Sequence, residues 1–137
     1  NAVLNLKTPF KISIDDFTGS YAGWNLTMTV GNLVSGVDSL VTPSLNSDFS
    51  GVTINDSDEA GLEITPDISA PGTFTKTDGA ITFASAKKIL SAQAANSDAT
   101  SRHFFNFPAD SLELSFKNTT KAGAYSGVTT FALVASP

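Results

Sequence analysis

Residues able to do chemistry are few in this chain and stand apart from one another. It has one histidine, His103, and no cysteine, so a thiol nucleophile, a thiolate zinc site and a disulfide are all excluded. His103 lies between Arg102 and Phe104 with no Gly-x-Ser-x-Gly elbow to serve, and it reads as part of a loop charge, not as a general base. Thirteen Asp and Glu offer carboxylates, but most fall in loop-like segments without an aromatic cleft signature around them, which leaves glycoside hydrolysis a distant reading. The run from Asn55 to Gly61 gathers Asp56, Asp58 and Glu59, oxygen ligands of the kind Ca²⁺ takes. It lacks the spacing and the terminal bidentate Glu of an EF-hand loop, so these three are weak Ca²⁺ candidates and a solvated loop is the expectation. The residue types therefore point away from an enzyme, and no cofactor is implied.

Composition narrows the partners. The chain has 137 residues, a net charge of -5 and only 15% charged residues, with Ser, Thr, Asn, Gly and Ala abundant. That balance suits one strand-built domain spanning 1–137 outside the cell. Eight Lys and Arg, dispersed along an acidic chain, form no basic run able to neutralise phosphates, so nucleic acid is not an expected partner. No apolar stretch approaches the ~20 residues that span a bilayer, and no charged segment followed by an apolar one opens the chain. A secreted protein would have lost its signal peptide already.

The elements that would position any site are short strands. Phe10, Ile12 and Ile14 alternate with Lys11 and Ser13, and Trp24, Leu26, Met28 and Val30 alternate with Asn25, Thr27 and Thr29. Across the turn-rich Asp15–Gly23 these two segments are expected to form a hairpin-like unit. Gly31 to Gly79 reads as decorations and edge strands. Ala80 to Ala94 is the one segment of helical composition, with Ala86 to Ala94 able to form two turns, although Ile81 and Phe83 alternate with Thr82 and Ile89-Leu90 fits a strand equally well. Phe104–Phe107, Leu112–Phe116 and Tyr125–Val134 read as further strands. The expected fold is all-β: an antiparallel sandwich or barrel-like domain with long loops and at most one short helix.

Two segments carry a resemblance. Ile14-Asp-Asp-Phe-Thr-Gly-Ser-Tyr-Ala-Gly-Trp24-Asn25-Leu26-Thr-Met-Thr-Val30 places a Trp-x-Leu after a strand and an Asp-containing turn. Lys121-Ala-Gly-Ala-Tyr125-Ser-Gly-Val-Thr-Thr-Phe131-Ala-Leu133-Val-Ala-Ser-Pro137 ends the chain with a matching turn, a Thr-rich strand and a Pro. The chain resembles the WxL domain of surface proteins of low-GC Gram-positive bacteria, with Phe131 where that family has its second Trp. The likeness runs from about Phe10 to the end, and Asn1 to Pro9 supplies less strand than the family usually has before the first motif.

The resemblance implies a non-catalytic cell-surface module that attaches non-covalently to peptidoglycan or another cell-wall polymer. It also implies a second role, as a structural or partner-docking subunit among other surface proteins. The residues singled out are Trp24, Asn25, Leu26, Tyr125, Phe131 and Leu133. Strand parity puts Trp24 with Leu26, and Phe131 with Leu133, on core-facing stripes, so these pairs are expected inside the fold first and at a ligand second. Tyr21 and Tyr125, in Gly-flanked turns, are expected to lock those turns by hydrogen bonds more often than to stack on sugars. Asn25, Thr27, Thr129 and Ala132 would line a groove only if the two motif strands were neighbours.

Overall fold

The computed structural model describes residues 1–16, 23–55, 74–92 and 101–135. Among these residues thirteen strands are present: β1 (Ala2–Asn5), β2 (Phe10–Asp16), β3 (Trp24–Val30), β4 (Val34–Ser35), β5 (Asp38–Ser39), β6 (Ser44–Ser47), β7 (Thr53–Asn55), β8 (Phe74–Lys76), β9 (Gly79–Ile81), β10 (Lys87–Ala92), β11 (Ser101–Phe107), β12 (Leu112–Phe116) and β13 (Thr129–Ala135). All pairings are antiparallel, and no helix occurs among the described residues. The fold is all-β and sandwich-like, as the alternation of the sequence implies.

One layer is the sheet β13-β3-β10-β8. The other is built from two sheets with matching orders, β1-β12-β6-β9 and β2-β11-β7. Read together, β1 runs on into β2, β11 into β12 and β6 into β7, so the two sheets are halves of one longer sheet creased across its middle. Pro9, Pro108 and the positive φ of Asp110, 68°, break the strands at the crease. Hydrogen bonds stitch it: Leu6 N–H donates to the Leu112 carbonyl at 2.9 Å, Asp110 N–H to Leu6 at 2.7 Å and Asp48 N–H to Ser111 at 2.9 Å. On the third strand, Phe49 N–H donates to Asp78 Oδ1 at 2.6 Å and Ser50 N–H to Asp48 Oδ1 at 3.0 Å. Backbone groups that the interrupted ladder would leave unpaired thus find partners.

The core lies between the layers. Every second residue of β3 is buried, as a period of two with one inward face requires. Phe105 and Phe107 reach in from β11 and Phe49 from the crease, all fully buried. Phe49 meets the Phe107 ring edge-on at 5.3 Å, and Phe105 meets Phe74 edge-on at 4.9 Å. These are geometries in which aromatic quadrupoles attract.

Three expectations are corrected. Phe10–Ile14 and Trp24–Val30 do not form a hairpin: β2 pairs with β11 while β3 pairs with β10 and β13, so the two strands sit in opposite layers. The segment of helical composition forms β10, with a register shift between Lys88 and Leu90. That bulge turns both Ile89 and Leu90 inward and fully buries them, which is why their adjacency broke the two-residue period. The Ile89 carbonyl, displaced from the ladder, accepts from Thr77 N–H at 2.9 Å. Lastly, within the segment read as edge strands, β7, β8 and β9 do end their sheets, but β6 lies inside its sheet between β12 and β9.

Candidate functional site

The two sequence segments that drew attention, about a hundred residues apart, are neighbours. β3 and β13 pair over their whole lengths, with Trp24 opposite Ala135, Leu26 opposite Leu133, Met28 opposite Phe131 and Val30 opposite Thr129. Parity then places Trp24, Leu26, Phe131 and Leu133 on the face turned toward the other layer.

Their environments differ sharply. Trp24 is 2% exposed, with Phe105 edge-on at 5.9 Å and Phe74 tilted at 5.8 Å. Leu26 is equally buried. These are core positions, as expected. Phe131 and Leu133 are not: they are 38% and 49% exposed, although they face the same way. The physical reason is the edge position of β13. β3 has neighbours on both sides and a layer above it, while β13 ends its sheet, and the opposing layer ends there too with β1 and β2. Side chains on the last strand project over the open flank of the sandwich. Phe10 reaches across from β2, its ring tilted at 40° and 6.0 Å from that of Phe131.

That flank is an apolar cleft. One part, about 480 Å³, is lined by Leu6, Phe10, Ile12, Met28, Leu112 and Phe131. A second, about 300 Å³, continues along Leu4, Val30, Leu33, Leu45, Leu114 and Thr129. A third, about 260 Å³, lies against Leu40, Phe116 and Tyr125. With Leu4 of β1 also well exposed, the flank forms a long hydrophobic band, while exposed Val3 and Val134 have the opposite parity and face outward. Bands of this kind on a surface mark contact with another molecule.

Tyr125 does what its turn suggests. Its hydroxyl donates to the Lys121 carbonyl at 2.7 Å, closing the 121–125 loop. Lys121 Nζ lies 3.4 Å from Asp38 Oδ2 in an exposed ion pair. The chain then enters β13 by pressing against residues 31–34: Val34 and Ser126 exchange backbone hydrogen bonds of 3.0 and 2.9 Å, and Gly31 N–H donates to Val128 at 2.8 Å. Gly127 allows this approach, since a Cβ there would stand 2.8 Å from the Asn32 carbonyl oxygen and 3.0 Å from that of Gly31.

Asn25 and Thr27 are half-buried on the outer face of β3, beside exposed Ala132 and Val134. Thr27 Oγ1 donates to the Ala132 carbonyl at 3.4 Å. Thr129 has the opposite parity and lines the cleft instead. The groove imagined from Asn25, Thr27, Thr129 and Ala132 is therefore split between two faces. Asp56, Asp58, Glu59 and Tyr21 lie outside the described residues, and of His103 only its backbone on β11, opposite Ile14, is described. Among the described residues no three Asp, Glu or His side chains cluster as a metal site would require. No helix among them is long and apolar enough to cross a membrane.

Leu6, Phe10, Ile12 and Leu112 were not singled out from sequence, yet they build the cleft. One signal was present for β13: after Thr129 and Thr130, Ala132 and Val134 make its outer face apolar as well as its inner one. Comparison of the chain with protein families, with curated proteins and with solved structures found no match.

Proposed function

We propose that this chain is a non-catalytic module that attaches without a covalent bond to a polymer of the cell wall, peptidoglycan being the ligand its WxL-like segments imply. The observation that supports this reading is the β3–β13 ladder. Two distant segments resembling one family's paired motifs make a single structural unit, with one strand buried as its anchor and the other exposed on both faces. In this arrangement Trp24 is architectural and contact with the wall falls to β13 and its cleft. Phe10 and Phe131 offer ring faces to sugar rings or peptide methyl groups, and Thr129 on the same face offers a hydroxyl. Sedimentation with purified cell-wall sacculi tests it. The wild-type chain is expected to pellet well above a control β-domain, and the Phe131→Ala, Leu133→Ala double variant to stay in solution while keeping its fold. No pelleting above the control would sink the proposal.

A second reading, a subunit docking to other surface proteins by its sheet edges, is favoured by one specific observation. Among the described residues no strand pairs with the outer side of β13, and an edge of that kind accepts an added strand.

A further inference from the structure

Backbone parity on β13 is fixed by two contacts. The Val128 carbonyl accepts from Gly31 N–H at 2.8 Å, and the Ala132 carbonyl accepts from Thr27 Oγ1 at 3.4 Å, so the even-numbered residues turn their polar backbone groups toward β3. In an antiparallel ladder these directions alternate. The N–H and C=O groups of Thr129, Phe131, Leu133 and Ala135 therefore point out of the sheet.

Natural edge strands carry a charge, a proline or a bulge to discourage pairing. β13, Thr-Thr-Phe-Ala-Leu-Val-Ala, has no charged residue and no proline, and its ladder with β3 is regular. At the edge of the opposite layer β2 carries Lys11, Asp15 and Asp16, and β1, though uncharged, is only four residues long, so β13 is the longest edge strand without a guarding charge among the described residues.

The strand also fits its own reverse. An antiparallel two-fold pairing must set outward-directed residues opposite outward-directed ones, and a two-fold axis at Ala132 does so over the whole of β13. Thr129 then faces Ala135 of the second copy, Thr130 faces Val134, Phe131 faces Leu133 and Ala132 faces Ala132. On the cleft side each exposed Phe131 ring covers the exposed Leu133 of the other chain, an aromatic–aliphatic cross-strand pair.

We infer that a second copy of this chain is the occupant of the β13 edge, joining the two four-stranded layers into one eight-stranded sheet across a closed two-fold interface. The inference rests on the edge-docking reading, and because it covers Leu133 with the Phe131 of the other chain it competes with wall contact through those two side chains. Each chain carries a net charge of -5, so salt strengthens the pairing by screening the repulsion between copies.

Sedimentation velocity over a wide concentration range is the test. The wild-type chain is expected to pass from monomer to dimer, at lower concentration in higher salt. Ala132→Lys, exposed in the monomer, sets two ammonium groups opposite each other across the axis and is expected to weaken association by roughly tenfold or more. An equimolar mixture with Ala132→Glu is expected to restore it. Because the chain has no cysteine, Ala132→Cys should give a disulfide-linked dimer on oxidation, the two Cα atoms of a non-hydrogen-bonded antiparallel pair lying about 4.5 Å apart, within a disulfide's reach. A wild type that stays monomeric at every concentration and salt, or dimers indifferent to both charge substitutions, would overturn the inference. A synthetic peptide of residues 128–135 separates this failure from failure of edge docking: if the chain stays monomeric while the peptide protects the Thr129, Phe131 and Leu133 amides from exchange, the edge takes strands and self-pairing is refuted.

Discussion

Met28 and Phe131 stand directly opposite each other on the inward face of the β3–β13 ladder, yet Met28 is 2% exposed and Phe131 38%. Two side chains separated by one strand spacing thus belong to different environments, core and surface. Truncation should separate them. Met28→Ala removes a fully packed side chain and is expected to cost about 2–5 kcal/mol in denaturant unfolding, whereas Phe131→Ala, already half in water, should cost about 1 kcal/mol or less. Equal losses would mean that β13 is covered in the isolated chain.

Trp24 is the only tryptophan, so its emission reports one site. Packed against Phe74 and Phe105, the indole is expected to emit toward the blue and to resist acrylamide quenching, and to keep that spectrum when cell-wall fragments are added. A quenching change on addition of fragments would put Trp24 in the contact surface.

Gly127→Ala drives a methyl group against the carbonyl oxygens of Asn32 and Gly31, backbone atoms that cannot swing aside. The entry to β13 must then lift from residues 31–34. Loss of about 1–3 kcal/mol of stability is expected, with faster amide exchange at Gly31 and Ser126. An unchanged exchange pattern would refute this close approach.

Tyr125→Phe keeps the ring in its cleft and removes only the hydroxyl bonded to the Lys121 carbonyl. A loss of about 0.5–1.5 kcal/mol follows from one hydrogen bond, measurable by thermal or denaturant unfolding. Wall sedimentation should be unaffected, because the hydroxyl is engaged within its own loop.

The Asp48 carboxyl is held below the ordinary aspartate value, first by the Ser50 hydroxyl and then by the Ser50 backbone N–H. A lowered folded-state value means that its contribution to stability is present above the unfolded value and is lost as pH falls through the folded one. The stability gap between wild type and Asp48→Asn should therefore narrow as pH drops below about 4, and carboxyl NMR titration should place Asp48 below an exposed aspartate. A constant gap through that range would refute the role of the ionised form.

Much of the strand content was legible because Phe10–Ile14, Trp24–Val30 and Leu112–Phe116 each turn one face toward the core, so that the two-residue period survives in them. It failed where the backbone leaves the regular ladder. The bulge in β10 sets Ile89 and Leu90 side by side on the core, a pattern that mimics a helix turn. Pairing was harder to read than strand content. Nothing local in Ile14 or Trp24 says that the chain crosses from one layer to the other between them, since adjacency in sequence usually produces a hairpin. For the site, parity correctly set Phe131 beside Leu133 on the inward side. Their exposure depends on β13 being last in its sheet, a property of the whole topology that no residue in the strand encodes.

The crease that crosses three strands near Leu6, Pro108 and Phe49 has a consequence for tolerance to insertion and deletion. In an uninterrupted strand, one added residue reverses every side chain beyond it, turning core residues out and polar ones in. Here the ladder stops and restarts, and the pairs β1–β12 and β2–β11 set their alignments separately on either side. The crease acts as a slack joint that confines a length change to itself, so the half of the layer that buries Phe105 and the half that buries Leu45 can vary in length independently. A residue added within β3, which has no such joint, would invert the Trp24–Val30 face along the remainder of the strand.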